Sequence, residues 1–279
     1  MSLPADEPSA TATALKECRH GRMLYLRRDA YVGRSLDLYG EYSEAEADIL
    51  LHLVGPGDVV VEAGANIGGH TVPLARRVGP QGMVMAFEPQ RVLFQILCAN
   101  LALNDLFNVQ TVPAGLGEER GMLRVPLIDY AGEGNFGGVS LGEKGDPVQV
   151  LPLDDFGLLR LRMLKIDVEG MEAKVLAGAR DTIARLRPLL YIENDRADKS
   201  PQLIGAVAAM GYRMWWHLPS LFNPDNFAGN PENVFGGIIS INLLAVPNEV
   251  TSNIRGLPEV TGPDDTWQRA AAETRAAAR

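Results

Sequence analysis

The chain has 279 residues, 26 Lys and Arg against 35 Asp and Glu, a formal charge of −9 and a pI of about 5.0, with 46% hydrophobic and 22% charged residues. That supplies apolar material for a globular core, while so acidic a surface repels phosphate backbones and argues against nucleic acid as a partner. The two cysteines, Cys18 and Cys98, support neither a disulfide scaffold nor a zinc site, and no apolar run approaches the roughly 20 residues that span a bilayer.

The start, residues 1–7, lacks the basic and apolar regions of a secretory signal, so a cytoplasmic protein that avoids membranes is expected. No linker-like stretch divides the middle, which suggests one domain over 43–247, an N-terminal extension over 1–42 and a C-terminal tail over 248–279. Residues 1–20, rich in Ala, Thr, Ser and Pro, read as a mobile start. Turn signals at Asp29 and Gly33 suggest a hairpin-like element within 22–38. Ser43 reads as an N-cap and Glu46 as its capping-box partner, opening a helix that stops before Gly55-Pro56-Gly57.

Residues 58–63 form a continuous apolar run too short for a helix, as strands buried on both faces do. A glycine loop (64–69), a helix (70–78), a strand (83–87), a helix (91–103) and a strand (109–112) follow. Residues 121–153 break the rhythm with two β-like runs around a glycine-rich segment, read as an inserted hairpin. Alternation resumes with strand 163–168, helix 171–186, strand 189–193, helix 201–210 and strand 212–216. A long loop leads to a last strand within 238–246, and 267–279 is either a short helix or disordered. The expectation is an α/β fold with a doubly wound, mostly parallel seven-stranded sheet.

The segment Glu62-Ala63-Gly64-Ala65-Asn66-Ile67-Gly68-Gly69 lies between a strand and a helix, where glycines permit a sharp turn and helix N–H groups suit an anionic ligand group. Glu88, before Pro89 at the end of the second strand, is placed to accept hydrogen bonds from both ribose hydroxyls. An NAD-dependent oxidoreductase of Rossmann type shares that acid. Its G-x-G-x-x-G fingerprint, however, needs glycine where Asn66 stands, so a ligand without a pyrophosphate, such as S-adenosylmethionine (SAM), is favoured. Glu62 is then the acceptor for the ligand's ammonium, His70 and Thr71 lie near its carboxylate, Asp167 is placed to contact the methyl acceptor or the sulfonium, and Ala63, Gly64, Gly68, Pro89 and Ala114 complete the expected cofactor set.

Several segments together resemble the FkbM family of SAM-dependent methyltransferases: residues 58–68, Ala86-Phe87-Glu88-Pro89, Asn135-Phe136-Gly137-Gly138-Val139-Ser140-Leu141, Leu153-Asp154-Asp155, and Leu164-Lys165-Ile166-Asp167-Val168-Glu169-Gly170-Met171-Glu172 with 175–179 behind it. The approach through Gly33-Arg34-Ser35 and Tyr39-Gly40-Glu41-Tyr42 is similar too, so the likeness covers roughly residues 25–195. It implies a Rossmann-like class I methyltransferase fold with an antiparallel last strand, SAM as donor, and commonly O-methylation of a sugar, polyketide or related metabolite. Phe136 stands where a small polar residue is expected, which bears on the acceptor, and Glu62 where Asp is also usual.

Ligands of open parallel sheets bind beyond the carboxyl ends of the strands, the edge that carries Asp167, Glu169, Glu193, Asn194 and Asp195. Lys165 and Asp167 share parity and leave one face. As a pair they are candidates to position an acceptor hydroxyl and take its proton, or else a buried structural duo. Glu169 is a further catalytic candidate, or else simply opens the following helix, where a carboxylate favours the helix dipole. Asp167, Glu193 and Asp195 have the hard oxygens that Mg²⁺ takes, but read first as a solvated acidic rim, so no metal is assigned. His217, Phe222, Phe227 and Phe235, with Asn223, Asn226, Asn230 and Asn233, lie in a long loop suited to holding a sugar-like acceptor or to pinning itself to the core. His217 is also a candidate general base. The partner expected is a small molecule, a homo-oligomer is compatible with the sequence, and a non-catalytic SAM-fold partner module is the remaining alternative.

Overall fold

The structure, a computed structural model, describes residues 11–277. The first half of the stretch read as a mobile start therefore lies outside the described residues, as do Ala278 and Arg279. The second half is ordered. A hairpin forms from β1 (Thr13–Cys18) and β2 (Gly21–Leu26), earlier than the 22–38 expected, and α1 (Val32–Tyr39) follows as a helix. The turn signals have other uses. Buried Asp29 accepts from the Tyr31 N–H at 3.0 Å at the start of α1, and Gly33 lets the helix press on β2, since a Cβ there would lie 2.0 Å from the Leu26 carbonyl oxygen.

Helix α2 (Glu44–Leu53) begins without the expected capping box. Ser43 has φ of 44°, and its hydroxyl bonds to the Glu46 carboxylate at 3.2 Å, which leaves the backbone amides of the first turn to other partners. The alternating region then runs as β3 (Val59–Ala63), α3 (Thr71–Val78), β4 (Met83–Phe87), α4 (Arg91–Leu103) and β5 (Val109–Val112). The insertion is larger than a hairpin. Strands β6 (Ala114–Leu116), β7 (Gly121–Val125) and β8 (Asp146–Leu151) form a small sheet in the order β6-β8-β7, with β6 parallel to β8.

After a 3₁₀ turn (Leu153–Phe156) come β9 (Met163–Ile166), α5 (Glu172–Ala177), α6 (Arg180–Leu186), β10 (Leu189–Glu193), α7 (Ser200–Ala209), β11 (Tyr212–His217), β12 (Asn242–Pro247) and α8 (Trp267–Ala277). The single helix expected over 171–186 is two. Gly178 packs so closely that a Cβ would meet the Gly117 carbonyl oxygen at 1.9 Å, and the Asp154 carboxylate caps α6 by accepting from the N–H groups of Asp181 and Thr182 at 3.0 and 2.8 Å.

The seven-stranded sheet has the order β11-β12-β10-β9-β3-β4-β5, parallel except for β12, which is antiparallel to both neighbours. One face buries Val61, Leu164, Ile166 and Ile192 against α5, α6 and α7; the other buries Val60, Val84, Met163 and Leu189 beneath α2 and α3. The last part of the chain covers the β11 edge. Trp216 bonds to Pro258 through its backbone and to Asp265 through its indole at 3.2 Å, and Ala270 of α8 is buried in the core. Among the described residues no helix is long and apolar enough to cross a membrane.

Candidate active site

On the α2–α3 face the sheet turns from apolar to ionic as its strands end. Val60 and Met163 lie under the helices; one step further along, Glu62, Lys165 and Tyr191 stand side by side in register. Lys165 is 1% exposed, and its Nζ lies 3.0 Å from Asp167 Oδ2. Burial opposes its charge, but Asp167, Glu46 and Glu62 outweigh burial and hold its pKa above the ordinary lysine value.

Glu62, Lys165 and Asp167 floor a cleft of about 330 Å³ beyond the carboxyl ends of β3, β9 and β10, while Tyr191 stays beneath it. A smaller compartment of about 40 Å³, walled by Pro89, Leu116, Val139, Leu141 and Met171, opens from it and shares Gly64, Glu88, Gly137, Asp167 and Glu169. The glycine loop makes this junction. Gly64 has φ of +85°, and a Cβ there would fall 1.8 Å from the Asp167 carbonyl oxygen, so only glycine lets the loop lie against the end of β9. Asn66 adopts φ of 50°, a conformation asparagine tolerates, and its N–H donates to Glu88 Oε2 at 2.8 Å. Glu88 accepts a second bond from the Gln90 N–H at 2.8 Å, and burial pushes its pKa up to about 7.

Glu62 accepts from the Thr71 hydroxyl at 2.6 Å and is pushed by burial to about 7. His70 is buried against Tyr42; burial lowers it to about 3, so it is neutral, and its Nε2 has no partner among the described residues. Glu169 does not open a helix. It sits in a turn with φ of 56°, its carboxylate 2.9 Å from Arg196 Nη2, and burial raises it to about 7. Glu193 is pushed well above the carboxylate range by burial and by Asp167 and Glu169 beside it.

Of the residues singled out in the sequence, Glu62, Gly64, Asn66, His70, Glu88, Pro89, Lys165, Asp167 and Glu169 meet around these two spaces. Others do not reach the walls. Ala63 faces the core, Gly68 faces Leu97, and Thr71 stands behind Glu62. Ala114 is buried, while its neighbours Gly115 and Leu116 line the small compartment. His217 lies outside the cleft lining, with Nδ1 2.7 Å from the Tyr191 hydroxyl and its pKa lowered by burial. Phe136 turns into the core beside Tyr130, and its carbonyl accepts from Gln90, so its departure from the family pattern concerns packing at that point.

The long loop uses its aromatic and amide groups on itself and its seat. Phe222 and Phe235 pack on Tyr39 with ring centroids 5.3 and 5.8 Å away. Asn223 donates to Glu41, Asn226 to the Asn223 and Asn230 carbonyls, and Asn233 to the Gly236 carbonyl. What the loop gives the cleft is Leu221 and residues 238–241, which have left the strand expected there. The opposite wall, Tyr31, Val32, Tyr42 and Glu46, was not foreseen in the sequence. In the sequence Glu46 reads as a capping-box partner, and Tyr42 as part of the lead-in similar to the family's.

Counting its strands along the chain, the sheet runs 3-2-1-4-5-7-6 with the seventh antiparallel, which is the class I methyltransferase fold. The family described as "Methyltransferase FkbM domain" matches residues 62–214, more than half of the sequence. The chain belongs to the FkbM methyltransferase family. It is 33% identical over 156 residues to Methyltransferase sdnD of Sordaria araneosa, covering 43% of this chain and 59% of that protein. It is 31% identical over 147 residues to Methyltransferase 1 of Beauveria bassiana (strain ARSEF 2860), covering 44% and 58%. The matches thus span somewhat under three fifths of the length of these curated relatives. Among solved structures, Methyltransferase FkbM from Methylobacillus flagellatus KT is similar at 20% identity and a TM-score of 0.47, over 67% of this chain and 43% of that one.

Proposed function

We propose that this chain transfers a methyl group from SAM to a hydroxyl of a small oxygen-rich metabolite such as a sugar or polyketide. The observation that carries the reading is the Lys165–Asp167 pair, which stands where the narrow apolar compartment meets the wide polar cleft. A nucleoside donor fits the narrow side. The apolar walls suit an adenine ring, Glu88 is fixed by two amides where it can grip a ribose, and Gly64 leaves its backbone bare at the bend. The cleft side has Glu62 for an ammonium group.

When bound, SAM supplies a methyl carbon on a sulfonium. The residues then have to hold an acceptor oxygen in line with that carbon, and alignment of this kind can supply about 7–11 kcal/mol. Asp167 is the proton acceptor in this reading, because it reaches the junction and Lys165 fixes its orientation from beneath. His217 is left with a supporting role behind Tyr191. Calorimetric titration with SAM, S-adenosylhomocysteine and NADH tests the donor; heat with NADH alone sinks the proposal. Transfer of labelled methyl groups to glycosides and polyhydroxylated acceptors tests the reaction, and SAM binding with no turnover on any acceptor points to a non-catalytic module.

A further inference from the structure

Asp167, Glu169 and Glu193 come from the end of β9, the turn after it and the end of β10, and each presents a carboxylate oxygen within 4.8 Å of the other two. Two of the three are held from behind: Lys165 Nζ takes Asp167 Oδ2 at 3.0 Å, and Arg196 Nη2 takes Glu169 Oε2 at 2.9 Å. Each leaves its second oxygen without a hydrogen bond among the described residues. Glu193 has no such support, and its Oε2 is buried without a partner.

A separate observation comes from the neighbouring strand. Asn242, 4% exposed, stands directly opposite Glu193 in the β10–β12 ladder and lines the same cleft, and its Nδ2 has no partner among the described residues. Each of these buried atoms, a donor on Asn242 and an acceptor on Glu193, costs free energy while it is left unpaired, unless a ligand meets it. What satisfies both is a cation for the carboxylates that carries oxygens of its own for Asn242.

We infer that Asp167, Glu169 and Glu193 bind one hard divalent cation of the Mg²⁺, Mn²⁺ or Ca²⁺ type. The spacing suits it. Oxygens about 2.0–2.6 Å from a shared ion lie roughly 3–5 Å from each other, and three of the six to eight positions such ions offer would be filled. Lys165 and Arg196 orient the ligating carboxylates from the second layer, as outer partners of metal sites do. The open positions face the cleft, where water or an acceptor hydroxyl completes the shell and the hydroxyl's pKa falls. That use of the ion rests on the hydroxyl reading above; the binding itself does not.

The test is Mn²⁺ binding to the full chain, followed by electron paramagnetic resonance without any acceptor. One Mn²⁺ per chain, displaced by Mg²⁺, is expected. Glu193→Gln weakens it by about tenfold or more, while Asp195→Asn on the rim changes it less than about twofold. Circular dichroism melts establish that each variant is folded, and calorimetry establishes that Glu193→Gln still binds SAM. No bound Mn²⁺ up to about 1 mM overturns the inference. So does equal affinity in wild type, Glu193→Gln and Glu169→Gln, or an Asp195→Asn loss as large as that of Glu193→Gln. If wild type binds SAM and no Mn²⁺, only the cation site falls; if it binds Mn²⁺ and no SAM, the methyl-transfer reading falls.

Discussion

Lys165 and Asp167 form an ion pair of unequal partners: the lysine is 1% exposed, while the aspartate side chain is 37% exposed at the cleft. The inequality separates their effects. Asp167→Asn leaves Lys165 facing Glu62 and Glu46, so the fold survives while methyl transfer falls about 100-fold or more. Lys165→Met instead strands buried carboxylates without a counter-charge and is expected to cost about 3–5 kcal/mol in urea denaturation. Near-normal turnover in Asp167→Asn makes the pair purely structural.

Glu62, Glu88 and Glu169 are all pushed by burial to about 7, from the ordinary 4.5 of a glutamate. A carboxyl raised on folding contributes stability that is present in full below the unfolded pKa and is lost as pH climbs through the folded one. The ligand-free protein is therefore expected to lose stability from these three groups between about pH 4.5 and pH 7. Affinity for SAM runs the other way, because Glu88 must be ionised to accept from ribose hydroxyls. Calorimetry between pH 6 and 8 should show tighter SAM binding as pH rises, and Glu88→Gln should bind weakly with a flatter profile. A wild-type affinity that falls with pH contradicts this role.

Gly64→Ala and Asn66→Gly should differ sharply. The first needs a Cβ 1.8 Å from the Asp167 carbonyl oxygen at φ of +85°, so it should destabilise the chain by about 3 kcal/mol or more and abolish SAM binding. Asn66 already occupies φ of 50°, which glycine adopts freely, and only its short side-chain bond to the Ile67 N–H is lost. Melting temperatures near wild type for Asn66→Gly, with no gain of NADH binding, are expected.

Glu41 ties the long loop to the N-terminal segment, accepting from Arg19 Nε at 2.7 Å, Asn223 Nδ2 at 2.8 Å and the Phe227 N–H at 2.7 Å. Glu41→Ala should speed proteolysis within residues 223–233 and raise the KM for the methyl acceptor several-fold, with a smaller effect on SAM affinity, because the loop lines the wide cleft and contributes nothing to the small compartment. Loss of SAM binding in this variant contradicts that division.

The sheet was legible because its central strands are buried on both faces and read as short apolar runs; strands 83–87, 109–112 and 189–193 and the helix 91–103 match residue for residue. The meeting of Glu62, Gly64, Asn66 and Glu88 was legible for a related reason: they lie on strand ends and the loop after β3, all local in sequence. The wall facing them was not. Glu46, Tyr42 and Ile239 are brought together across nearly 200 residues, and neither periodicity nor spacing encodes that meeting. Local signals were also ambiguous where one residue type has two uses. Asp29 looked like a hairpin turn and starts a helix, and Glu169 looked like a helix opening and pairs with Arg196.

The Tyr39 hydroxyl donates to the Glu232 carbonyl at 2.7 Å and accepts from the Val234 N–H at 3.0 Å, a clasp between positions 193 and 195 residues apart. During synthesis, then, the loops that carry Gly64 and Glu88 can settle well before residues 218–241 close over the cleft, since those residues leave the ribosome later. A nascent chain stalled near residue 215 would present that cleft open to water, with the aromatic seat around Tyr39 bare for a chaperone to meet.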